Sequence, residues 1–397
     1  MDEILIVTAL YPPEPVVSAN ISSDLNAVLA ERGYVVKVFH PKPTRPNGYL
    51  FNKYHTPANN EIIAESFTSP KSSLFGRLKE SISFGRATYR YIEKHYRNIG
   101  VIYANTWPLF GQFYLMKAAK KYGIPCYIHV QDIYPDSYCQ KLPKLLGAFL
   151  YKSLLPIDKY VLRNAAGIIV ISPAMVSYLS ESRGINIAKF SLVRNWQNDQ
   201  IYIDGYKPIK QNNSLCEVMY LGSINPTANV SLILEAFSRL DNKRFHLSVI
   251  GNGPEKEHCI DIADKYGLNV LFETVLPEKV ADKQSEADIL VLCLKKGVAH
   301  TATPSKLTAY MLTGRPIIAS VDMDSDCANI IQEAGCGLVV EPENDEALAK
   351  AITILSEEKR ERLLEMGVAA YNYALENLSK QKNLNKLSNV ILNSYND

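Results

Sequence analysis

Apolar positions in the first half of this chain alternate between two periods. Short continuous runs come first: Glu3–Thr8 holds Ile4, Leu5, Ile6 and Val7 in succession. Runs of that kind mark strands buried on both faces. Tyr11-Pro12-Pro13 then breaks the chain. Helical spacing follows, with Ile21, Leu25, Val28 and Leu29 on one stripe, Ser18 placed to cap the start and Gly33 to end it. Strand sequence returns at Val35–Phe39, Gly100–Ala104, Pro125–Val130 and Gly167–Ile171, each separated by helical sequence. This alternation predicts a parallel, doubly wound sheet.

The pattern breaks near Asn195-Trp196 and restarts. The polar stretch Gln197–Ser214 is the expected linker. Cys216–Leu221, Phe245–Ile250, Val270–Phe272, Ile289–Leu294, Pro316–Ser320 and Gly337–Val340 read as a second set of strands. The tail Leu378–Tyr395 carries Leu384, Leu387 and Ile391 on one stripe and reads as a closing helix. The expected architecture is α/β: two Rossmann-like doubly wound domains, 1–198 and 199–375, facing a cleft, with helix 376–397 packing back on the first. In such sheets ligands bind at the carboxyl ends of strands, which selects the loops to inspect.

Composition adds less. With 397 residues, two domains are the default. Apolar runs such as Leu145–Tyr151 stop at seven residues, far below the roughly 20 that cross a bilayer. The amino terminus lacks the basic and long apolar regions of a signal peptide. Seven cysteines without a C-x-x-C spacing suggest a reduced, cytoplasmic, non-ligating set. Charge is more telling. The net +2 conceals +10 over residues 1–198 (23 basic, 13 acidic) and −8 over the rest (20 basic, 28 acidic). Two halves of opposite sign suggest different partners. Residues 71–97 carry seven Lys/Arg against two Glu, with Leu78, Ile82, Tyr89, Ile92 and Tyr96 at helical spacing. Either the stripe packs on the sheet and the charges face water, or a basic amphipathic helix lies on an anionic membrane. No RNA or DNA module sequence is visible, so no nucleic-acid partner is expected.

Four loops carry candidate chemistry. After the first strand, the amides of Val17, Ser18, Ala19 and Asn20 open a helix and could seat phosphate or sugar oxygens; the alternative is a plain turn. His129, Asp132 and Asp136 lie within eight residues after a strand. Asp132, at the loop itself, could orient an acceptor hydroxyl, whereas His129 reads more readily as a strand histidine. Ile250-Gly251-Asn252-Gly253-Pro254-Glu255 is G-x-G-x-x-Glu and lacks the third glycine of a dinucleotide fingerprint, which disfavours a dehydrogenase. Ser305 and Lys306 open another helix, where the macrodipole disfavours a lysine unless an anion joins it. Ser325 begins a further helix, as a cap or as a ribose contact. No zinc spacing and no paired acidic metal motif occurs, so neither metal nor cofactor is expected.

In order along the chain stand Tyr11-Pro12-Pro13-Glu14, Val130-Gln131-Asp132-Ile133-Tyr134-Pro135-Asp136-Ser137, Val170-Ile171-Ser172-Pro173-Ala174-Met175, Asn195-Trp196, Tyr220-Leu221-Gly222-Ser223-Ile224, Val249-Ile250-Gly251-Asn252-Gly253-Pro254-Glu255, Pro304-Ser305-Lys306-Leu307 and Ala334-Gly335-Cys336-Gly337-Leu338. This ordered set resembles the retaining glycosyltransferases of group 1, family 4 type, with the GT-B fold. It is similar to members that build bacterial capsule, O-antigen and related surface polysaccharides.

The resemblance implies a nucleotide-diphosphate sugar, UDP-linked by preference, as co-substrate. It places Gly222 and Ser223 near the donor phosphates, Gly251 and Gly253 beside base and ribose, Ser305 and Lys306 on the diphosphate, and Asp132 at the acceptor and reacting carbon. An undecaprenyl-linked or glycan acceptor and a peripheral position at the inner membrane face are implied with it. The chain departs from the family pattern where Ser223 and Ala228 replace an Arg and a Lys. Ala309 and the region of Thr301 lack the Glu-x7-Glu pair, and Gln131 replaces a histidine. Lys306 is then the main cation on the diphosphate. Two other readings are a nucleotide-sugar epimerase of the same architecture and a non-catalytic subunit.

Overall fold

The computed structural model describes residues 2–14, 16–44, 58–69, 74–105, 108–139, 142–196, 198–207, 215–298 and 305–396. The chain divides into two compact units, Met1–Asn195 with Asn383–Asp397, and Trp196–Lys382.

The first unit is built on strands β1 (Glu3–Thr8), β2 (Val36–Pro41), β3 (Glu61–Ala64), β4 (Ile99–Asn105), β5 (Cys126–Val130), β6 (Gly167–Val170) and β7 (Phe190–Leu192). All pair in parallel, in the order β3-β2-β1-β4-β5-β6-β7. The second holds β8 (Cys216–Leu221), β9 (Phe245–Ile250), β10 (Val270–Glu273), β11 (Ile289–Cys293), β12 (Ile317–Ser320) and β13 (Gly337–Val340), in the order β10-β9-β8-β11-β12-β13, again all parallel. Helices connect the strands, so both units are Rossmann-like. Strands covered on two faces need apolar side chains on both, and Ile4, Ile6, Val7, Ile289, Leu290, Val291 and Leu292 are fully buried. The short, polar-flanked edge strands β3 and β7 give no such signal.

Three local expectations need correction. The helix Val17–Glu31 begins at Val16, and no side chain caps it; Ser18 lies inside its first turn. Within the expected linker, Gln200–Asp204 is a helix. Tyr202 buries in the core of the second unit, so this stretch is held by its apolar residues rather than left loose. The basic stripe divides. In helix Leu74–His95, Phe84 and Ile92 bury against the sheet and Gly85 meets Phe110 and Gly111, while Phe75 and Leu78 face solvent. Residues 71–73 lie outside the described residues.

The last helix, Lys380–Asn396, buries Leu387 and Ile391. Arg32 donates to Asn385 and Asn389, and the Arg194 amide donates to Asn383 Oδ1 at 3.0 Å. No described helix is long and apolar enough to cross a membrane.

Candidate functional site

Strand order reverses between β1 and β4 in the first unit and between β8 and β11 in the second. Chains leave in opposite directions at those points, and a crevice opens at the strands' carboxyl ends.

In the first unit the register sets Thr8 opposite Asn105 at the reversal. Asn105 Nδ2 donates to the Ser18 carbonyl and to Ser22 Oγ, both at 2.9 Å, and its Oδ1 accepts from Gln131 Nε2 at 2.9 Å. These bonds frame a cavity of about 180 Å³ lined by Ser18, Asn105, Gln112, His129, Asp132 and Tyr134, among others.

His129 is 2% exposed. Burial pushes its pKa down to about 3, so the ring is neutral. Its Nδ1 lies 2.7 Å from the Tyr103 hydroxyl, which has no other partner among the described residues. The phenol and the neutral ring share one hydrogen bond, in which either can donate. Nε2 is enclosed and has no protein partner among the described residues. His129 is thus a neutral, buried ring and a poor base near neutral pH.

Asp132 is exposed, at the mouth, and accepts from Ser137 Oγ at 2.9 Å. Asp136 is not brought to the cavity. It is 6% exposed, forms an ion pair with Arg183 and accepts from the Tyr178 hydroxyl. Arg183 in turn binds Asp158 at 2.7 Å. A carboxylate so engaged ties helices together and is unavailable for chemistry.

Of the four helix-opening amides, those of Ala19 and Asn20 are taken by the Val16 carbonyl at 3.1 and 3.2 Å. Ala19 is buried, and only Val17 and Ser18 keep amides of the kind expected.

In the second unit, pairing of Leu221 with Ile250 brings the loops after β8 and β9 side by side. The Gly222 amide donates to the Ile250 carbonyl at 2.8 Å, and the Ile224 amide to that of Asn252 at 2.9 Å. Gly251 has φ 150°, and a Cβ there would lie 1.9 Å from the Gly222 oxygen. Gly253 likewise faces the Ile224 carbonyl. These two glycines let the loops touch each other, a packing reason that the bare spacing could not reveal.

Gly222 does border charge. A Cβ there would sit 2.1 Å from Lys306 Cε. Lys306 lies in the first turn of helix Ser305–Leu312. Its Nζ donates to the Tyr220 hydroxyl and, at 3.3 Å, to the Ser223 carbonyl, and sits 4.6 Å from the Tyr220 ring centroid. Tyr220 donates to that same carbonyl at 2.6 Å. No described carboxylate pairs with Lys306, and burial lowers its pKa to about 8. A half-buried cation at a helix amino terminus, without a counter-ion, is poised for an anion.

Ser305 begins this helix; Pro304 and Thr303 lie outside the described residues. Ser325 is a buried cap whose Oγ accepts the Ala328 amide at 3.2 Å, which corrects the ribose reading. Ala228 and Ala309 are buried. Among the described residues no three His, Cys, Asp or Glu side chains gather as a metal would require.

Sequence reading missed Tyr103, Asn105 and Tyr220. Each stands at or near the end of a central strand, a signal that becomes readable only once strand order is known.

Residues 208–390 match the family Glycosyl transferases group 1, and residues 22–199 match Glycosyltransferase Family 4. A protein named for colanic acid biosynthesis, the glycosyl transferase WcaI of Escherichia coli (strain K12), is 22% identical over 98% of this chain and 99% of its own. Among solved structures, sucrose-phosphate synthase from Thermosynechococcus elongatus superposes with a TM-score of 0.74 at 17% identity, covering all of both chains. Anabaena Alr3699/HepE, solved in complex with UDP, gives 0.66 at 13% identity over 99% of this chain and 100% of its own. With both halves matched in order on this pair of parallel sheets, the chain belongs to the glycosyltransferases of group 1, family 4 type, with the GT-B fold.

Proposed function

We propose that this protein transfers a sugar from a nucleotide-diphosphate sugar, UDP-linked by preference, to a lipid-linked or glycan acceptor in bacterial surface-polysaccharide synthesis. One observation carries the reading: the Lys306 ammonium stands beside Gly222 and Ser223 with no described carboxylate to neutralise it. A sugar diphosphate supplies the missing anion. In the reaction, charge builds on the departing diphosphate, and a preorganised ammonium with a helix amino terminus stabilises it.

In the first unit, the neutral His129 ring would border the bound sugar in the cavity, and Asp132 would face the acceptor hydroxyl. Retention of anomeric configuration, metal independence and work at the cytoplasmic face of the inner membrane complete the proposal. The UDP held by Alr3699/HepE supports the nucleotide, and the name of WcaI supports the polysaccharide setting.

Calorimetric titration with UDP tests the core of it. UDP should bind, and K306A should bind it roughly 10–150-fold more weakly, since a charged hydrogen bond contributes about 1.5–3 kcal/mol. Equal affinity would remove Lys306 from the donor site. Transfer that persists in EDTA would agree with metal independence, and transfer lost there and restored by Mn²⁺ would refute it.

A further inference from the structure

A second cavity of the first unit is larger, about 600 Å³, within the roughly 300–1,000 Å³ of ligand sites. Helices Leu74–His95 and Lys144–Asn164 give it Leu78, Leu150 and Leu154, and Leu109 and Phe110 add to the wall. Arg77 is the charged side chain among its described lining residues; it too comes from helix Leu74–His95, where it pairs with Glu80 at 3.3 Å. Tyr134 lines both this cavity and the smaller one that holds Asp132, so both border on that residue. Tyr138 also lines it, its hydroxyl enclosed and without a partner among the described residues.

Beside the cavity the helix Lys144–Asn164 turns apolar groups to solvent: Leu145 is 90% exposed and Phe149 68%. From Ser137 to Ile157 the chain holds Lys141, Lys144 and Lys152 and no Asp or Glu. Lys144 has no carboxylate partner among the described residues; Lys152 has none either but lines a separate hollow with Lys159 and Arg163, and Lys141 lies outside the described residues. An apolar hollow walled by a helix whose Lys144 has no carboxylate partner among the described residues, and sharing Tyr134 with a polar pocket, complements a ligand with a hydrocarbon tail and an anionic head. A flat membrane surface would leave such a hollow unfilled, whereas a single chain fills it.

Building on the lipid-linked acceptor proposed above, we infer that this cavity holds the isoprenoid chain of a prenyl-diphosphate-linked acceptor, lying along Leu78, Leu150 and Leu154 with its head passing Tyr134 toward Asp132.

The test titrates the full chain, saturated with UDP, with geranylgeranyl diphosphate, geranyl diphosphate and inorganic pyrophosphate. Affinity should rise with tail length, the longest probe binding at least tenfold tighter than geranyl diphosphate. The double variant Leu150→Gln, Leu154→Gln should weaken the longest probe tenfold or more. UDP affinity, measured on the same samples, should stay unchanged and vouches for folding. Should that variant not fold, Leu78→Trp, changed at a partly exposed position, should fill the hollow and weaken the probe equally. Affinity independent of tail length would overturn the inference. So would a double variant that binds the probe as wild type does while losing phosphatidylglycerol vesicles, which would assign the face to the bilayer. A concentration-dependent dimer that the double variant abolishes, with no probe bound, would assign it to a second copy and overturn it likewise. Failure of UDP to bind, with the prenyl probe still bound, would overturn the donor reading alone.

Discussion

The strand ends of the two units carry different chemistry. Around the first cavity the groups at the reversal are neutral and bonded to one another: Asn105 holds Ser18 and Gln131, and Tyr103 fixes the His129 ring. Asp132, the charged group there, sits exposed at the mouth. At the second reversal the Lys306 ammonium stands without a counter-ion among the described residues, on a helix start, over Tyr220. Yet the first 198 residues carry +10 and the rest −8. Bulk charge and site charge thus run opposite ways. The net charge of a half reports its surface and steers encounters; the charge of a site is decided by which side chains a strand end collects. A neutral donor network suits hydroxyls, and a lone cation suits a diphosphate.

The largest effect expected concerns the edge of the first site. Asp136→Ala leaves the Arg183 guanidinium, wholly buried, short of one carboxylate. Breaking a buried pair in this way costs about 3–5 kcal/mol. Urea midpoints should drop accordingly while UDP affinity of the folded protein stays put. A stable variant lacking transfer would instead return Asp136 to the chemistry.

Next comes K306A, the 10–150-fold loss of UDP affinity described above, beside wild-type UDP affinity in His129→Gln. If the histidine variant lost UDP as well, the division of labour between the two strand ends would collapse.

A smaller effect follows from burial of His129. Its folded pKa, about 3, lies below the roughly 6.5 of an unfolded histidine. The unfolded chain therefore binds the extra proton first, and stability contributed by the neutral ring is present above pH 6.5 and fades as pH falls toward 3. Stability of His129→Gln should lose less than wild type does between pH 7 and pH 5, by about 2 kcal/mol, read from urea midpoints at both. Parallel losses would mean that the ring is not buried neutral.

The mildest test is the pH dependence of UDP binding. The Lys306 pKa of about 8 means that the free site loses its charge above that pH. UDP affinity should be steady below pH 8 and fall by up to about tenfold from pH 8 to 9, while Lys306→Arg should be flat over that interval. A steady wild-type affinity would show that the ammonium is not what grips the diphosphate.

Much of this was open to sequence reading. Central strands announce themselves because burial on two faces forces continuous apolar runs, as in Glu3–Thr8 and Ile289–Cys293. Lys306 stood out because a lysine in the first turn of a helix conflicts with the macrodipole. The edge strands β3 and β7 and the helix Gln200–Asp204 did not stand out, since their apolar content is small and their burial depends on distant residues. Ser325 and Asp136 looked like site residues because a hydroxyl at a helix start and an acid after a strand have the same sequence signature whether they meet a ligand or Ala328 and Arg183.

The sequence by itself determined two α/β halves, the loops at their strand ends and the family. Tertiary structure alone decided which polar groups are consumed by partners and which are left over. Partnering depends on strand order and register, which set Tyr103 against His129 and Tyr220 beneath Lys306. Those pairs are 26 and 86 residues apart. No local spacing encodes contacts at such separations; they arise only when the sheets close.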